Sequence, residues 1–378
     1  MRRTSRHRNR GAVWDALAAS APRPRAPVRY NSKTSLLKKS NREELMRVTG
    51  KRTIAFVGMA AAIAAYAGSA ASAQEKSKTA LKVAVFSVNG ASPTIHTMIE
   101  SATEAAKKRG WTVETYDGNG DQVATNNQAN TFITRGFDAL INIASDNNQM
   151  GGVIANAKKA KIPFVSTFSG MVPGITVDIG SNNVADGVIA ASELAARING
   201  EGEVLKLNWT VLPALAERDA GFHAVVGEYK KLKVTEMEIK VPGQVDDTFN
   251  KITDYLTGHK EVKAIWMGWD EVGVAAARAV QQSHLANKPF VVSMDGNDAA
   301  YDLIRGGSPL ALTVAYDVRG MGVQAVDSVA EAVDGKAFDE RQIFKKPCLI
   351  TKETVPPKGE LPNFATCPLY SADIGKTN

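Results

Sequence analysis

Cysteine and histidine are scarce in this chain of 378 residues: it has two of the first, Cys348 and Cys367, and five of the second. After residue 73 there is neither a C-x-x-C nor a pair of histidines four apart, so the usual ligand spacings of structural zinc are missing. The apolar run at 54–67 is shorter than the roughly 20 residues a membrane-spanning helix needs. Also missing are the G-x-S-x-G elbow of serine hydrolases, the phosphate-cradling G-x-x-x-x-G-K and the H-E-x-x-H of zinc proteases. Acidic pairs do occur, at Asp246-Asp247 and Asp270-Glu271. Neighbours on a helix face different directions, so both pairs are expected to be solvated turns or caps. No catalytic residue, metal site or cofactor is expected, and the chain does not read as an enzyme.

A basic excess is also missing from most of the chain, although the total charge of +7 hides this. Residues 1–73 carry 15 of the 46 Lys and Arg but only 3 of the 39 Asp and Glu, so residues 74–378 hold 31 and 36, a net charge of −5. An electrostatic case for a nucleic-acid partner therefore fails. Within the basic part, residues 46–73 have the order of an export signal. Arg47, Lys51 and Arg52 form a positive head, 54–67 an apolar middle, and Ala71-Ser72-Ala73 a small-x-small cleavage site. Cleavage is expected after Ala73, delivering the protein to the periplasm. A signal begins near its own start, so Met46 is the expected initiator. Residues 1–45, rich in Arg, Pro and Ser and without useful periodicity, are expected to be disordered wherever they are made. In an oxidising compartment the lone pair Cys348 and Cys367 is expected to form a disulfide that pins a Pro-rich tail, 353–378.

From residue 80 onward, apolar strand-like runs alternate with amphipathic helical runs. KVAVFSV, DALINIA, IPFVSTF and GITVDIG are short, rich in β-branched residues and almost continuously apolar, as strands buried on both faces of a parallel sheet should be. At 93–109, Ile95, Met98, Ile99, Ala102 and Ala106 share one stripe, and a basic last turn precedes Gly110. The pattern restarts after residue 182 with five more strand candidates, EVLKLNW, VTEMEIKV, VKAIWMGW, KPFVVSMD and LALTVAYD. The reading is α/β, with two similar lobes in one chain. Ligands of open parallel sheets bind beyond the carboxyl ends of the strands, and two facing lobes would share one cleft there.

The order and spacing of 138–167, the run AERDAGFHAVV, the run VKAIWMGWDEVGVAAARAV and FVVSMDGNDAAYDLI resemble the ribose-binding type of periplasmic solute-binding protein, the receptor of ATP-driven sugar importers. The resemblance covers about residues 80–352. It implies the type I periplasmic binding fold: two flavodoxin-like lobes joined by three crossover segments, with 80–181 plus 317–345 in the first and 182–316 plus 346–352 in the second. It also implies a small-molecule sugar or polyol as ligand, a membrane permease of an ABC importer as partner, and a monomer. A sensor that presents its solute to a chemoreceptor or sensor kinase would have the same fold. Lactose-repressor-type regulators share the core as well, but they carry a helix-turn-helix where this chain has an Arg/Pro segment and an export signal.

The resemblance assigns site residues one by one. Arg218, in an Arg-x-x-Gly-Phe pattern with Gly221 and Phe222, matches the arginine that binds sugar hydroxyls, and its guanidinium offers five fixed donors. Asp295, in SMDG, matches the acceptor of two hydroxyls; the competing role of helix N-cap is one that Asn297 or Asp298 could fill. Elsewhere this chain departs from the pattern. Ser92 and Thr94 replace an Asn-Pro-Phe-Phe-like turn, Phe168 and Ser169 replace Asp-Arg, Trp269 replaces Asn, and Tyr316 replaces Gln. Aromatic surface has taken the place of hydrogen-bonding groups, which argues against ribose itself and leaves deoxysugars, polyols, cyclic polyols and furanose signal molecules open. Gln244 and Trp209 complete the expected ligand set, whereas Trp266 is expected in the core and Asp146 in a loop bordering the cleft.

Overall fold

The computed structural model describes residues 80–338 and 341–371. The expectations for the export signal, its cleavage site, residues 1–45 and the last residues of the tail lie outside them.

Chain order alternates throughout. The first half runs β1 (Lys82–Ser87), α1 (Pro93–Lys108), β2 (Thr112–Asp117), α2 (Gln122–Thr134), β3 (Ala139–Ile143), α3 (Gly151–Lys159), β4 (Phe164–Thr167) and β5 (Val177–Gly180). The second half runs α4 (Asn183–Arg197), β6 (Glu201–Asn208), α5 (Pro213–Val226), β7 (Lys231–Glu238), α6 (Gln244–Gly258), β8 (Val262–Met267), α7 (Asp270–Gln282), β9 (Phe290–Asp295), α8 (Asp298–Arg305) and β10 (Leu310–Ala315). The chain then returns to the first half with α9 (Val318–Val333) and β11 (Gln342–Phe344), and ends in the second with β12 (Cys348–Thr351).

Two six-stranded sheets result, ordered β11-β5-β4-β3-β1-β2 and β12-β10-β9-β8-β6-β7. All the pairings are parallel except β12 against β10. In the inner strands, buried apolar residues alternate between the two faces. In β1, Val83 and Val85 join a core under α1 and α9 that continues into the second lobe, while Ala84 and Phe86 join a separate core with Phe132 and Phe164. Trp266 packs in the shared core and Met267 on the opposite face of its lobe. The stripe on α1 is buried at Ile95, Met98, Ala102 and Ala106, with Pro93 in its first turn. That face is what holds the helix: an isolated 16-residue helix is marginal in water.

The strand β2 was not among the sequence candidates. It is an edge strand, exposed or half-buried along its whole length, so TVETYD carries no apolar run. Cys348 and Cys367 are bonded, with their Cα atoms 5.5 Å apart. The tail is further tied down where Leu349 N donates to Pro368 O at 2.8 Å and where Ser371 donates to both oxygens of buried Glu193 at 2.7 and 2.8 Å. Among the described residues no helix is long and apolar enough to cross a membrane, and no cluster of three or more His, Cys, Asp or Glu could hold a metal ion.

Candidate functional site

The carboxyl ends of both sheets face one cleft, and the lobes are shut upon it. The Thr94 hydroxyl at the start of α1 donates to Asp295 Oδ2 across the cleft at 2.8 Å. The rims touch too: a Cβ on Gly120 would lie 3.2 Å from Pro242, and one on Gly170 3.7 Å from Pro213. The cavity left between the shut lobes measures about 50 Å³ and opens to solvent at its mouth. Among the described residues six non-glycine residues have positive φ, and three of them line this cavity: Ala144 at 53°, Phe168 at 49° and Asp295 at 130°. Such strain, of order 1–3 kcal/mol at each residue, persists only where the surroundings over-determine the backbone, and it clusters at functional sites.

Arg218 reaches the cavity because α4 and α5 cross closely. A Cβ on Gly187 would lie 2.0 Å from Arg218 O, and one on Gly221 2.1 Å from Val184 O, so only glycine fits at either position. This explains the glycine of the Arg-x-x-Gly-Phe pattern. The guanidinium is buried and donates through Nη1 to Asp295 Oδ1 at 2.9 Å and to Gly268 O at 2.8 Å, and through Nε to Asn183 Oδ1 at 3.4 Å. It also lies 5.7 Å from the centre of the Phe168 ring and 5.1 Å from that of Tyr316. Burial works against its charge, but Tyr316, Asp295 and Asp186 outweigh burial and leave Arg218 above its ordinary pKa. Among the described residues its third nitrogen, Nη2, makes no hydrogen bond.

Asp295 ends β9, and its carboxylate is held by Thr94 and Arg218. Burial pushes its pKa up more than Arg218 and Thr94 pull it down. Asn297, not Asp295, caps α8, accepting from Ala300 N at 2.9 Å. Behind Asp295 lies a group that was misread in the sequence. Asp270 was expected to be solvated, yet it is fully buried. It accepts from the hydroxyls of Ser293 and Thr313, the latter at 2.7 Å, and from Gly296 N and Asn297 N at 2.7 and 2.9 Å. Its first-turn position turns the carboxylate inward, where it holds the strained turn that presents Asp295. A Cβ on Gly296 in this turn would lie 2.4 Å from Ala315 Cβ.

At the crossovers, beneath Arg218, Asp186 is buried and its oxygens form no hydrogen bond of standard geometry among the described residues. Burial pushes its pKa up to about 6, against the pull of Ser181, Arg218 and Tyr316. Asp178 is likewise pushed up to about 6 by burial, although Ser166 donates to it at 2.6 Å.

Seven of the expected ligand residues line the cavity: Ser92, Thr94, Phe168, Trp209, Arg218, Trp269 and Asp295. Three do not. The Ser169 hydroxyl donates to Thr167 O at 2.9 Å and its N–H to Asp178 at 3.3 Å, because the backbone turns over at Phe168 and sends the next side chain into the lobe. Gln244 donates to both carboxylate oxygens of Glu271 at 3.2 Å and is not among the residues that line the cavity. Tyr316 is buried behind Arg218, edge-on to Phe168 at 5.5 Å, and borders a neighbouring cavity of about 270 Å³. Trp266 is fully buried in the core, and Asp146 accepts from Asn148 N at 2.9 Å in its loop. The sequence reading missed the aliphatic walls of the cavity, where Ile95, Met98, Leu212 and Leu215 look like ordinary helix core.

A family model described as a periplasmic binding protein domain matches residues 83–337. Among curated proteins, the chain is 26% identical over 278 residues to the ribose import binding protein of Salmonella typhimurium, covering 72% of this chain and 90% of that one. Among solved structures, a solute-binding protein of an ABC transporter from Agrobacterium vitis, with bound allitol, superposes with a TM-score of 0.69 at 23% identity, covering 73% of this chain and 97% of that one. The 5-methylthioribose transporter solute-binding protein of Thermotoga lettingae gives a TM-score of 0.68 at 22% identity, covering 72% of this chain and 86% of that one.

Proposed function

The chain belongs to the periplasmic binding protein family, and from that premise we propose that it is the receptor of an ABC importer, taking a sugar or polyol into its cleft. Relatives and neighbours named for ribose, allitol and 5-methylthioribose support that ligand class. The observation that carries the reading is the buried pair of Arg218 and Asp295 at the mouth of facing sheets, bridged to the opposite lobe by Thr94. An arginine and a carboxylate side by side can orient neighbouring hydroxyls, the first by donating and the second by accepting. Ring faces such as those of Phe168, Trp209 and Trp269 pack against the C–H faces of a sugar.

The mechanism is ligand-gated closure. Solute joins the Thr94–Asp295 bridge and adds interactions that exist only when the lobes are shut, so it shifts the population toward the closed form. A membrane permease then recognises the fixed relation of the two lobe surfaces. Micromolar affinity corresponds to about −8 kcal/mol, which a few buried charge-assisted bonds plus stacking supply after the cost of closure. We further propose export to the periplasm with cleavage after Ala73, action as a monomer and no catalytic step. A thermal-shift screen of pentoses, hexoses, deoxysugars and polyols tests the reading. A ligand at 100 times its dissociation constant should stabilise by about 2.7 kcal/mol. A shift with amino acids, and none with any carbohydrate or polyol, would refute it.

A further inference from the structure

The cavity is short of free hydrogen-bonding groups, and this limits which carbohydrate it can hold. Of its fifteen lining residues ten are apolar, so most of the wall offers a hydroxyl no partner. Four of the five polar residues are Asn89, Ser92, Thr94 and Arg218, and Asp295 is the fifth. Thr94 is committed to Asp295, and two of the three guanidinium nitrogens of Arg218 are committed to protein acceptors. Even the indole N–H of Trp269 points at Glu271 Oε2, at 3.4 Å, rather than into the cavity. What remains is the Asn89 amide, the Ser92 hydroxyl and the Trp209 indole N–H, none bonded to a described residue, together with the two N–H groups on Arg218 Nη2 and the spare lone pairs of Asp295.

Those groups come from five of the fifteen lining residues, so they can serve the hydroxyls on one part of a sugar while the apolar residues cover the rest of the wall. A ring-form pentose carries four hydroxyls and a hexose five, so a fully hydroxylated sugar would press at least one of them against Ile95, Met98, Leu212 or Leu215. A hydroxyl buried without a partner is penalised, whereas a methyl group there is rewarded by leaving water. We infer that the cavity selects a carbohydrate with an apolar substituent, one whose hydroxyl at one end of the molecule has been replaced by hydrogen or an alkyl group. This rests on the proposed sugar-binding function and narrows it to one class. Discrimination of this kind is strong because the wrong ligand leaves a buried polar group unpaired.

The test is calorimetric titration of the full chain with matched pairs: D-ribose with 5-deoxy-D-ribose, D-allose with 6-deoxy-D-allose, and D-galactose with D-fucose. At least one deoxy member should bind at least tenfold more tightly than its parent. If no deoxy member beats its parent while some parent binds, the inference is overturned and the sugar-binding function stands. If no carbohydrate or polyol binds at all, the underlying function falls with it. Leu212→Gln supplies a second arm, because Leu212 is only half-buried and the fold can be checked by its melting curve. The variant should narrow the preference to threefold or less. A folded Leu212→Gln with the full preference would overturn the assignment of that wall.

Discussion

Replacing Asp295 by Asn tests whether the charge in the cleft does the recognising. The amide keeps the shape: its oxygen can accept from Arg218 Nη1 in place of the carboxylate oxygen now at 2.9 Å, and its NH2 can donate to the Thr94 hydroxyl now at 2.8 Å. Only the negative charge goes. Burial already disfavours that charge more than Arg218 and Thr94 favour it, so folding should lose little, and the melting temperature should stay within a few degrees of wild type. Binding should suffer more. A hydrogen bond to a charged group contributes about 1.5–3 kcal/mol and a neutral one about 0.5–1.5, so losing the charge assistance of one bond costs about 1–1.5 kcal/mol and should weaken affinity about 5- to 13-fold. Isothermal titration with the best ligand from the thermal-shift screen measures it, and the fluorescence of Trp209 and Trp269 gives a second reading from inside the cavity. A folded variant whose dissociation constant lies within twofold of wild type would refute the role given to Asp295.

Three further outcomes are expected. Asp270→Asn cannot accept all four of the bonds that converge on Asp270, so it should lower stability in urea by about 2–4 kcal/mol and weaken binding as the Asp295 turn loosens; unchanged urea midpoints would count against it. Asp186 has a folded pKa raised to about 6, so its contribution is most favourable below about pH 4, its ordinary value, and is lost as pH rises through 6. Asp186→Asn should therefore melt with wild type near pH 4 and above it at pH 8, a gap that calorimetry across pH would reveal or deny. Cys348→Ser with Cys367→Ser opens a link spanning 19 residues, and should cost about 3 kcal/mol and expose the tail to protease; equal midpoints in urea would contradict this.

The sequence made the strands legible where they are buried on both faces, because continuous β-branched runs such as VAVF have few other uses. The edge strand β2 escaped since nothing presses on its outer side. Arg218 and Asp295 came from motif positions, but their pairing is separated by 77 residues and Thr94 by another 201, and only the winding of the sheets brings them together. Asp270 was misjudged for a physical reason. Two adjacent acids on a helix do diverge, and the reading treated both as outward when one of them points into the lobe. Ser169 was misplaced because its neighbour Phe168 takes a left-handed backbone, which reverses the alternation of sides and leaves no mark in composition.

The order of strands in each sheet carries a consequence for how the molecule can be built or broken. The strand β11 borders the first sheet and β12 the second, and both come from the last tenth of the chain. The first sheet is not finished until Phe344 has been made, nor the second until Thr351. A chain ending at residue 340 would leave β5 and β10 as bare edges at once, each a template for pairing with another molecule. Loss of the C-terminus should thus act as an aggregation lesion of the whole receptor rather than as the trimming of one lobe.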